Sequence, residues 1–172
     1  MNSFVIGIMS GTSLDGVDAV LVDFSTHPLQ TRAMVWQPYP AEVRAQALQL
    51  QHAGADELHR AALLGNALAH CYARAVQQLL ADANVTAAQI AAIGCHGQTV
   101  RHRPDTGYSL QINNSSLLAE LTHIAVVADF RGRDIAAGGQ GAPLVPAFHA
   151  EIFGSPDAHR GILNIGGIAN VT

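Results

Sequence analysis

The chain has 172 residues, enough to bury one full core, and it is 49% hydrophobic but only 13% charged, which excludes a disordered protein. A net charge of −4, without any basic cluster, gives no electrostatic basis for binding nucleic acid or an anionic membrane. Two cysteines without C-x-x-C spacing, no basic signal region and no apolar run of roughly 20 residues predict a cytoplasmic α/β protein.

The first predicted element is a β-hairpin, formed by apolar runs at 4–9 and 17–24 around a turn of small residues. Its glycines and backbone N–H groups would suit a phosphate, although a hairpin turn that merely needs small residues is the alternative interpretation. Asp15 and Asp18 favour the phosphate, provided that Mg²⁺ lies between it and the carboxylates.

Three further elements follow the hairpin. A strand at 31–39, closed by prolines, would extend it into an antiparallel meander. The pattern then predicts a short helix at 41–51 and a long amphipathic one at 56–82. Apolar residues on one face of the long helix are expected to be buried, namely Leu58, Ala61, Gly65, Leu68, Tyr72, Ala75 and Leu79. His59 and His70 fall on the solvated side, and Cys71 belongs to the core.

A short apolar strand at 90–93 runs directly into glycines and the polar residues His96, Gln98 and Thr99. Because α/β folds place ligands at the ends of buried strands, this pattern indicates a binding loop. A simple turn with a hydrogen-bonded histidine is the alternative. A loop at 101–107, a strand at 108–112 and a capped helix from 113–116 to about residue 121 complete this region.

The last third of the chain repeats this pattern of an apolar strand followed by polar or charged residues. An apolar strand at 124–128 ends in a charged stretch, 129–134, and is followed by a glycine- and proline-rich stretch at 138–146. The prolines favour a stiff segment over a mobile linker. A short helix is predicted at 146–153, and the tail repeats the opening pattern of strand, glycine turn and strand.

Two phosphate-type hairpins, one at each end of an α/β domain, resemble the actin-like sugar kinase architecture. Four motifs make the resemblance specific: I-G-I-M-S-G-T-S-L-D-G-V-D, G-C-H-G-Q-T-V-R-H, V-V-A-D-F-R-G-R-D-I-A-A-G-G-Q-G-A-P-L-V-P and L-N-I-G-G-I-A-N-V-T. Together they look like the anhydro-N-acetylmuramic acid kinase family of bacterial cell-wall recycling.

The resemblance implies an α/β actin-like ATPase (ribonuclease H-like) domain with a mixed sheet, an antiparallel N-terminal hairpin and flanking helices. Residues 1–158 would form this first kinase domain. Residues 159–172 would be the first hairpin of a second, similar domain, so that the chain is expected to be a truncated form.

The family's reaction uses ATP to phosphorylate O6 of 1,6-anhydro-N-acetylmuramic acid while water opens the anhydro bridge, giving N-acetylmuramic acid 6-phosphate and ADP. The implied cofactors are ATP and Mg²⁺, and the implied partner is the small-molecule sugar, with no nucleic acid or membrane partner. We expect a homodimer of the full-length protein.

The resemblance also implies site residues. The ATP-binding segment is expected to comprise Gly11, Thr12, Ser13, Leu14, Asp15, Gly16, Val17 and Asp18. Asp18 is the expected Mg²⁺ contact, since its charge interrupts the strand. Gln98, Thr99 and Arg131 fall in the motifs that would face the sugar, and Arg131 would form a two-pronged bond with the lactyl carboxylate.

Two departures from the family pattern limit these expectations. The family's catalytic base lies in a D-T-G-P-G-N motif that is absent from these residues, so no catalytic residue is assigned and the isolated chain is expected to lack kinase activity. Asn113 and Asn114 stand where the family usually has Gly-Asp. The alternatives are a non-catalytic nucleotide-binding or interaction domain and an acetate-kinase-like phosphotransferase, against which G-C-H-G-Q-T speaks.

Overall fold

The computed structural model describes residues 3–165 and 169–172. The strands are β1 (Phe4–Met9), β2 (Gly16–Asp23), β3 (Gln30–Pro38), β4 (Ile90–Cys95), β5 (Gln98–Arg103), β6 (Tyr108–Ile112), β7 (Val126–Val127), β8 (Leu163–Ile165) and β9 (Ala169–Val171). The helices are α1 (Ala41–Gln49), α2 (Glu57–Ala83), α3 (Ser115–Thr122), α4 (Gly132–Ala136) and α5 (Pro146–Phe153).

A mixed five-stranded sheet with the order β3-β2-β1-β4-β7 forms the centre of the fold. The strands β1, β2 and β3 pair antiparallel, whereas β4 and β7 run parallel to β1. The α/β class, the mixed sheet, the opening hairpin and the meander are therefore confirmed. Both β1 and β4 point the same way, so their carboxyl ends deliver the following loops to the same edge of the sheet.

The core lies between this sheet and α2. Alternate residues of β1, Ile6 and Ile8, are buried, while their neighbours face the opposite side of the sheet. The buried stripe of α2 includes Leu68 and Tyr72, as the spacing of apolar residues predicts. Within the described residues, no helix is long and apolar enough to cross a membrane.

Most expectations for single residues of α2 are confirmed, but Ala61 is only half-buried and Leu58 is exposed. His59 and His70 are exposed and Cys71 is buried, as predicted. Leu58, however, is 90% exposed, so its assignment to the buried face was wrong. It lies in the first turn of α2, and the buried stripe of that helix begins only at Leu64.

Three boundaries differ from the sequence predictions. Residues 101–103 were expected in a loop but belong to β5, which pairs antiparallel with β6. This strand is polar because much of it is exposed, so it carries no apolar signal. The strand predicted at 124–128 is reduced to β7, and the charged stretch at 129–134 contains the start of α4. The Asp129 carboxylate accepts from the Gly132 N–H at 3.2 Å, which caps that helix start.

A second antiparallel hairpin, β8–β9, is present as predicted, and the helix predicted at 146–153 is α5. The glycines of its turn, Gly166 and Gly167, lie outside the described residues. Its strands expose most of their side chains, including Leu163 and Ile165. A hydrogen bond of 3.1 Å between His149 Nδ1 and Thr172 Oγ1 connects the hairpin to α5.

Candidate functional site

The opening loop, defined as residues 10–15, connects β1 to β2 and carries the predicted phosphate site. Leu14 is buried and has a φ of 56°, an uncommon value for a branched residue, and its N–H donates to the Gly11 carbonyl at 3.3 Å. Ser13 Oγ donates to Asp15 Oδ1 at 2.6 Å. The loop is therefore a compact turn pinned to the core by Leu14, with Thr12 and Ser13 exposed.

Two hydrogen bonds connect this loop to Gly97 and Gln98 in the β4–β5 region. Gln98 is fully buried, and its Nε2 donates to the Gly11 carbonyl at 3.1 Å. Ser10 is also buried, and its hydroxyl donates to the Gly97 carbonyl at 3.3 Å. The backbone at Gly97 has a φ of +75°, and a Cβ there would come within 2.8 Å of the Ile112 carbonyl. Only glycine fits this position without displacing β6.

A cleft of about 300 Å³ joins the opening loop to three other parts of the chain. It is lined by Met9, Ser10, Gly11, Thr12, Ser13, His96, Thr99, Arg131, Asn164 and Asn170. The fold thus brings together the opening loop, the β4–β5 turn, the stretch before α4 and the closing hairpin. Of the predicted site residues, Gly11, Thr12, Ser13, Thr99 and Arg131 line this cleft.

The other residues of the predicted ATP segment occupy different positions. Leu14, Gly16 and Val17 are buried and do not line the cleft. Asp18 is exposed on β2 and lines a larger, apolar groove of about 870 Å³ on the sheet face opposite α2, together with His96 and Arg131. This groove adjoins the cleft through Met9, His96 and Arg131, which line both.

The two aspartates of this segment differ in their electrostatics. Partial burial raises the pKa of Asp18, and the nearby charge of Asp15 raises it further. By contrast, the hydrogen bond from Ser13 lowers the pKa of Asp15. Asp15 is therefore stabilised as an anion by its own loop, whereas Asp18 lacks such support. A cation beside Asp18 would relieve its unfavourable charge.

Arg131 is held in place by two acceptors. Its Nε donates to His96 Nε2 at 3.0 Å, and one terminal nitrogen donates to the Gly141 carbonyl. His96 Nδ1 lies 2.7 Å from the Gly97 carbonyl and must donate to it, which leaves Nε2 free to accept. Burial lowers the pKa of His96, and the Arg131 charge lowers it further, so the ring is neutral at neutral pH.

The glycine-rich stretch after α4 is tied back to that helix. The N–H of Gly141 donates to the Asp134 carboxylate at 2.7 Å, and the Gly141 carbonyl accepts from Arg131. Gly141 has a φ of +69°, in the region that favours glycine. These bonds agree with the stiff segment that the prolines predicted.

Thr99 is hydrogen-bonded across the β5–β6 pair, and Asn114, one of the two departures from the family pattern, has a structural role at the start of α3. The Thr99 hydroxyl accepts from Gln111 Nε2 at 3.2 Å on the paired strand. Asn114 caps α3, because its side chain accepts from the Leu117 N–H at 3.0 Å. Aspartate caps a helix equally well, so Asn114 keeps the local structure that the family's carboxylate would provide, without its charge.

The cleft offers hydroxyl, amide and guanidinium groups, which could meet an anion. Among residues 3–165 and 169–172, no group of three or more His, Cys, Asp or Glu side chains is placed to hold a metal ion. Magnesium usually binds through one or two carboxylates plus substrate phosphates and water. Asp18, exposed and with a raised pKa, fits that mode of binding.

Sequence reasoning missed several residues that shape the cleft. Asn164 and Asn170 pair across the closing hairpin and both line the cleft. The hydroxyl of Ser10 and the carbonyl of Gly141 support the loop and Arg131, and both lie inside motifs that assigned them no role. Asn164 and Asn170 lie in the L-N-I-G-G-I-A-N-V-T motif, but the motif did not indicate that their side chains line the cleft.

A mixed sheet whose first hairpin presents a polar loop to a cleft is consistent with a sugar kinase or actin-like ATPase domain. The family model described as anhydro-N-acetylmuramic acid kinase matches residues 3–172, and the chain belongs to that family.

Individual relatives bear the same name, anhydro-N-acetylmuramic acid kinase. The chain is 60% identical to the protein of Variovorax paradoxus strain S110 over 171 residues, covering 97% of this chain and 46% of the relative. It is 57% identical to that of Nitrosomonas europaea over 171 residues, covering 98% and 47%. The relative in Bordetella pertussis is 60% identical over 167 residues, with 97% and 44% covered. The chain thus spans about half the length of the curated relatives that it matches.

Proposed function

We propose that this chain is the nucleotide-binding part of an ATP-dependent kinase that acts on 1,6-anhydro-N-acetylmuramic acid. The proposed reaction phosphorylates O6 while water opens the anhydro ring, yielding N-acetylmuramic acid 6-phosphate and ADP for cell-wall recycling. The observation that carries the proposal is the cleft in which the opening loop meets Thr99 and Arg131. The shared name of the relatives supports the choice of substrate.

The opening loop would bind the ATP phosphates. Thr12 and Ser13 are exposed on it, and its backbone N–H groups suit an anion. The proposed segment runs from Gly11 to Asp18, with Leu14, Gly16 and Val17 contributing backbone and packing. Mg²⁺ at Asp18 would neutralise phosphate charge.

The sugar would lie toward Thr99 and Arg131. Of the five N–H donors of a guanidinium, two of those of Arg131 go to His96 and Gly141, which leaves three for a carboxylate. The Thr99 hydroxyl accepts from Gln111, so its own proton remains for the sugar. Gln98 stays a proposed sugar residue, although in this structure it is fully buried and donates to Gly11.

The wider organisation is proposed on the same basis. Residues 1–158 would form an actin-like, ribonuclease H-like domain, and residues 159–172 would open a second one. The longer protein would be a cytoplasmic homodimer. No catalytic base is assigned among these 172 residues, so the chain by itself is expected to bind nucleotide without releasing ADP.

Thermal unfolding with and without MgATP tests the nucleotide site. Saturation at about 100-fold over Kd should raise the Tm by roughly 5 °C or more, because binding then adds about 2.7 kcal/mol. Asp18→Asn should remove the dependence of that shift on Mg²⁺. An unchanged Tm at millimolar MgATP would contradict the proposal.

Calorimetric titration of the anhydro sugar acid tests Arg131. Arg131→Ala should weaken sugar binding about tenfold or more while leaving the Kd for MgATP within twofold, since charge-assisted bonds are lost only to the sugar. Arg133→Ala, which removes an exposed arginine two positions away, is the matched control. Equal losses for sugar and nucleotide would rule out this role.

A further inference from the structure

A chain of three hydroxyl groups runs through the core to the opening loop. The Tyr39 hydroxyl lies 3.3 Å from that of Tyr72, and the Tyr72 hydroxyl lies 3.2 Å from Ser10 Oγ. All three residues are buried, and Tyr72 is among the largest fully buried side chains in the described protein. The chain connects the end of β3, the middle of α2 and the first residue of the opening loop.

The three hydroxyl groups are bonded in sequence, and either partner of each pair can be the donor. Ser10 Oγ also lies 3.3 Å from the Gly97 carbonyl, which can accept its proton. Burial raises the pKa of Tyr72 well above its ordinary value, so this hydroxyl stays neutral and acts only through hydrogen bonding.

The hydroxyl of Tyr72 has a specific hydrogen-bond partner in the opening loop. An aromatic ring alone would fill the space between α2 and the sheet, so packing does not require the oxygen. The oxygen reaches Ser10, whose neighbour Gly11 receives the second support from Gln98. These two contacts fix the backbone on both sides of the Ser10–Gly11 peptide, directly before the exposed residues of the loop.

We propose that Tyr72 is a positioning residue for phosphate binding: its hydroxyl orients Ser10 and thereby the backbone N–H groups of the opening loop. The proposal rests on the proposed function, in which this loop binds the phosphates of ATP. Tyr72 touches no ligand itself. Its contribution is to hold the donors of the loop in place before the nucleotide arrives.

The test compares Tyr72→Phe with Tyr39→Phe. Both substitutions remove one buried hydroxyl, but Tyr72→Phe removes the hydrogen bond of 3.2 Å to Ser10, whereas Tyr39→Phe removes the one of 3.3 Å to Tyr72. Calorimetric titration of MgATP should give a Kd about three- to tenfold higher for Tyr72→Phe and unchanged within twofold for Tyr39→Phe. Ser10→Ala removes this contact together with the one to Gly97, so it should weaken binding at least as much as Tyr72→Phe. Adding Tyr72→Phe to Ser10→Ala should weaken binding no further, because the shared contact is already lost.

Hydrogen exchange gives a readout that needs no nucleotide. The N–H of Leu14 donates to Gly11 within the loop, so its exchange reports loop opening. Tyr72→Phe should speed exchange at Leu14 about three- to tenfold relative to amides of β3, and Tyr39→Phe should not.

The outcomes separate the two proposals. If the unmodified chain does not bind MgATP, the proposed function fails, and Leu14 exchange alone then decides whether Tyr72 positions the loop. If MgATP binds and both phenylalanine variants keep its Kd and the Leu14 exchange rate, or change them equally, the hydroxyl only stabilises the core and the positioning role is refuted. Additive losses in the double variant would refute it too.

Discussion

The two hairpins at the ends of this chain share a sequence pattern but differ in their surroundings. The β1–β2 hairpin forms the middle of a five-stranded sheet, and its loop is tied down by Leu14 and Gln98. Among residues 3–165 and 169–172, the β8–β9 hairpin pairs with no other strand, and side chains such as Ile165 are exposed. A strand–glycine–strand pattern therefore predicts a hairpin, whereas the rest of the fold decides how deeply its strands are packed.

Both hairpins nevertheless reach the same cleft. The opening hairpin contributes backbone groups that are already fixed, while the closing hairpin contributes Asn164 and Asn170 from strands with little packing. A ligand that contacts both hairpins would meet fixed backbone groups on the opening hairpin. It would have to order the asparagine side chains of the closing hairpin. Four predictions test this contrast.

The largest expected difference lies in the side chains of the strands. Leu21 is fully buried in β2, so Leu21→Ala should lower the free energy of unfolding by about 2–5 kcal/mol through lost packing and a cavity. Ile165→Ala in β8 should change it by less than about 0.5 kcal/mol, because Ile165 is 74% exposed. Urea unfolding of the two variants provides the measurement. Comparable losses would mean that the closing hairpin is packed as firmly as the opening one.

The next largest difference is in the stability lost when a glycine in or beside each hairpin is replaced by alanine. A Cβ at Gly16 would overlap the Gln37 carbonyl and approach Trp36 Nε1 to 3.0 Å, so Gly16→Ala should destabilise the protein by about 1–3 kcal/mol. A Cβ at Gly161, just before the closing hairpin, meets nothing within 4 Å, and Gly161→Ala should be neutral within about 0.5 kcal/mol. Equal effects in chemical denaturation would contradict the close approach of β2 and β3.

Removing the closing hairpin should have a modest effect. Deletion of residues 161–172 should lower the free energy of unfolding by less than about 1 kcal/mol, because the strands bury little apolar surface. Far-UV circular dichroism during thermal unfolding would show a single transition close to that of the intact chain. A loss of the cooperative transition would show that the central sheet depends on the closing hairpin.

The smallest expected effects concern Asp15 and Asp18, and they have opposite signs. The folded pKa of Asp15 is lowered, so its charge stabilises the fold above the unfolded pKa and this stability is lost as pH falls. The folded pKa of Asp18 is raised, so stability is instead lost as pH rises through that value. At pH 7, Asp15→Asn should lower the free energy of unfolding and Asp18→Asn should raise it, each by less than about 1 kcal/mol, with Tm changes of the same signs.

The control for this pair is the same measurement at a pH below the lowered folded-state pKa of Asp15, where both carboxyls are protonated in the folded and unfolded states and the charge-dependent difference should vanish. Tm changes of the same sign at pH 7 would contradict the electrostatic contrast between the two carboxylates.

Much of the fold was predictable because its strongest elements carry strong periodic signals. The boundaries of β1, β3 and α2 agree with the prediction to within about a residue, since alternating or helical spacing of apolar residues reports burial directly. The strand β5 was only partly predicted, because its second half, 101–103, is polar and partly or fully exposed, and one of the two buried residues in its first half, Gln98, is polar. The short helix α4 has too few turns for periodicity to appear.

The candidate site was predictable as a set of loops but not as an arrangement. Motifs drew attention to the opening loop, to Thr99 and to Arg131, and all of them line the cleft. No local pattern could show that Gln98 lies beneath the loop or that Tyr72 points its hydroxyl at Ser10, because these contacts join residues far apart in sequence. Such long-range contacts depend on how helix and sheet pack, which spacing alone does not specify.

The pairing of β2 with β3 places Asp18 directly opposite Trp36, the single tryptophan of the chain. Directly opposed residues lie on the same face of a sheet, and this indole is about half exposed to solvent. Its fluorescence should therefore respond to a change of charge at Asp18, so the protein carries an intrinsic optical probe beside its proposed metal contact. Binding titrations can be followed by light emission alone, without attaching a dye.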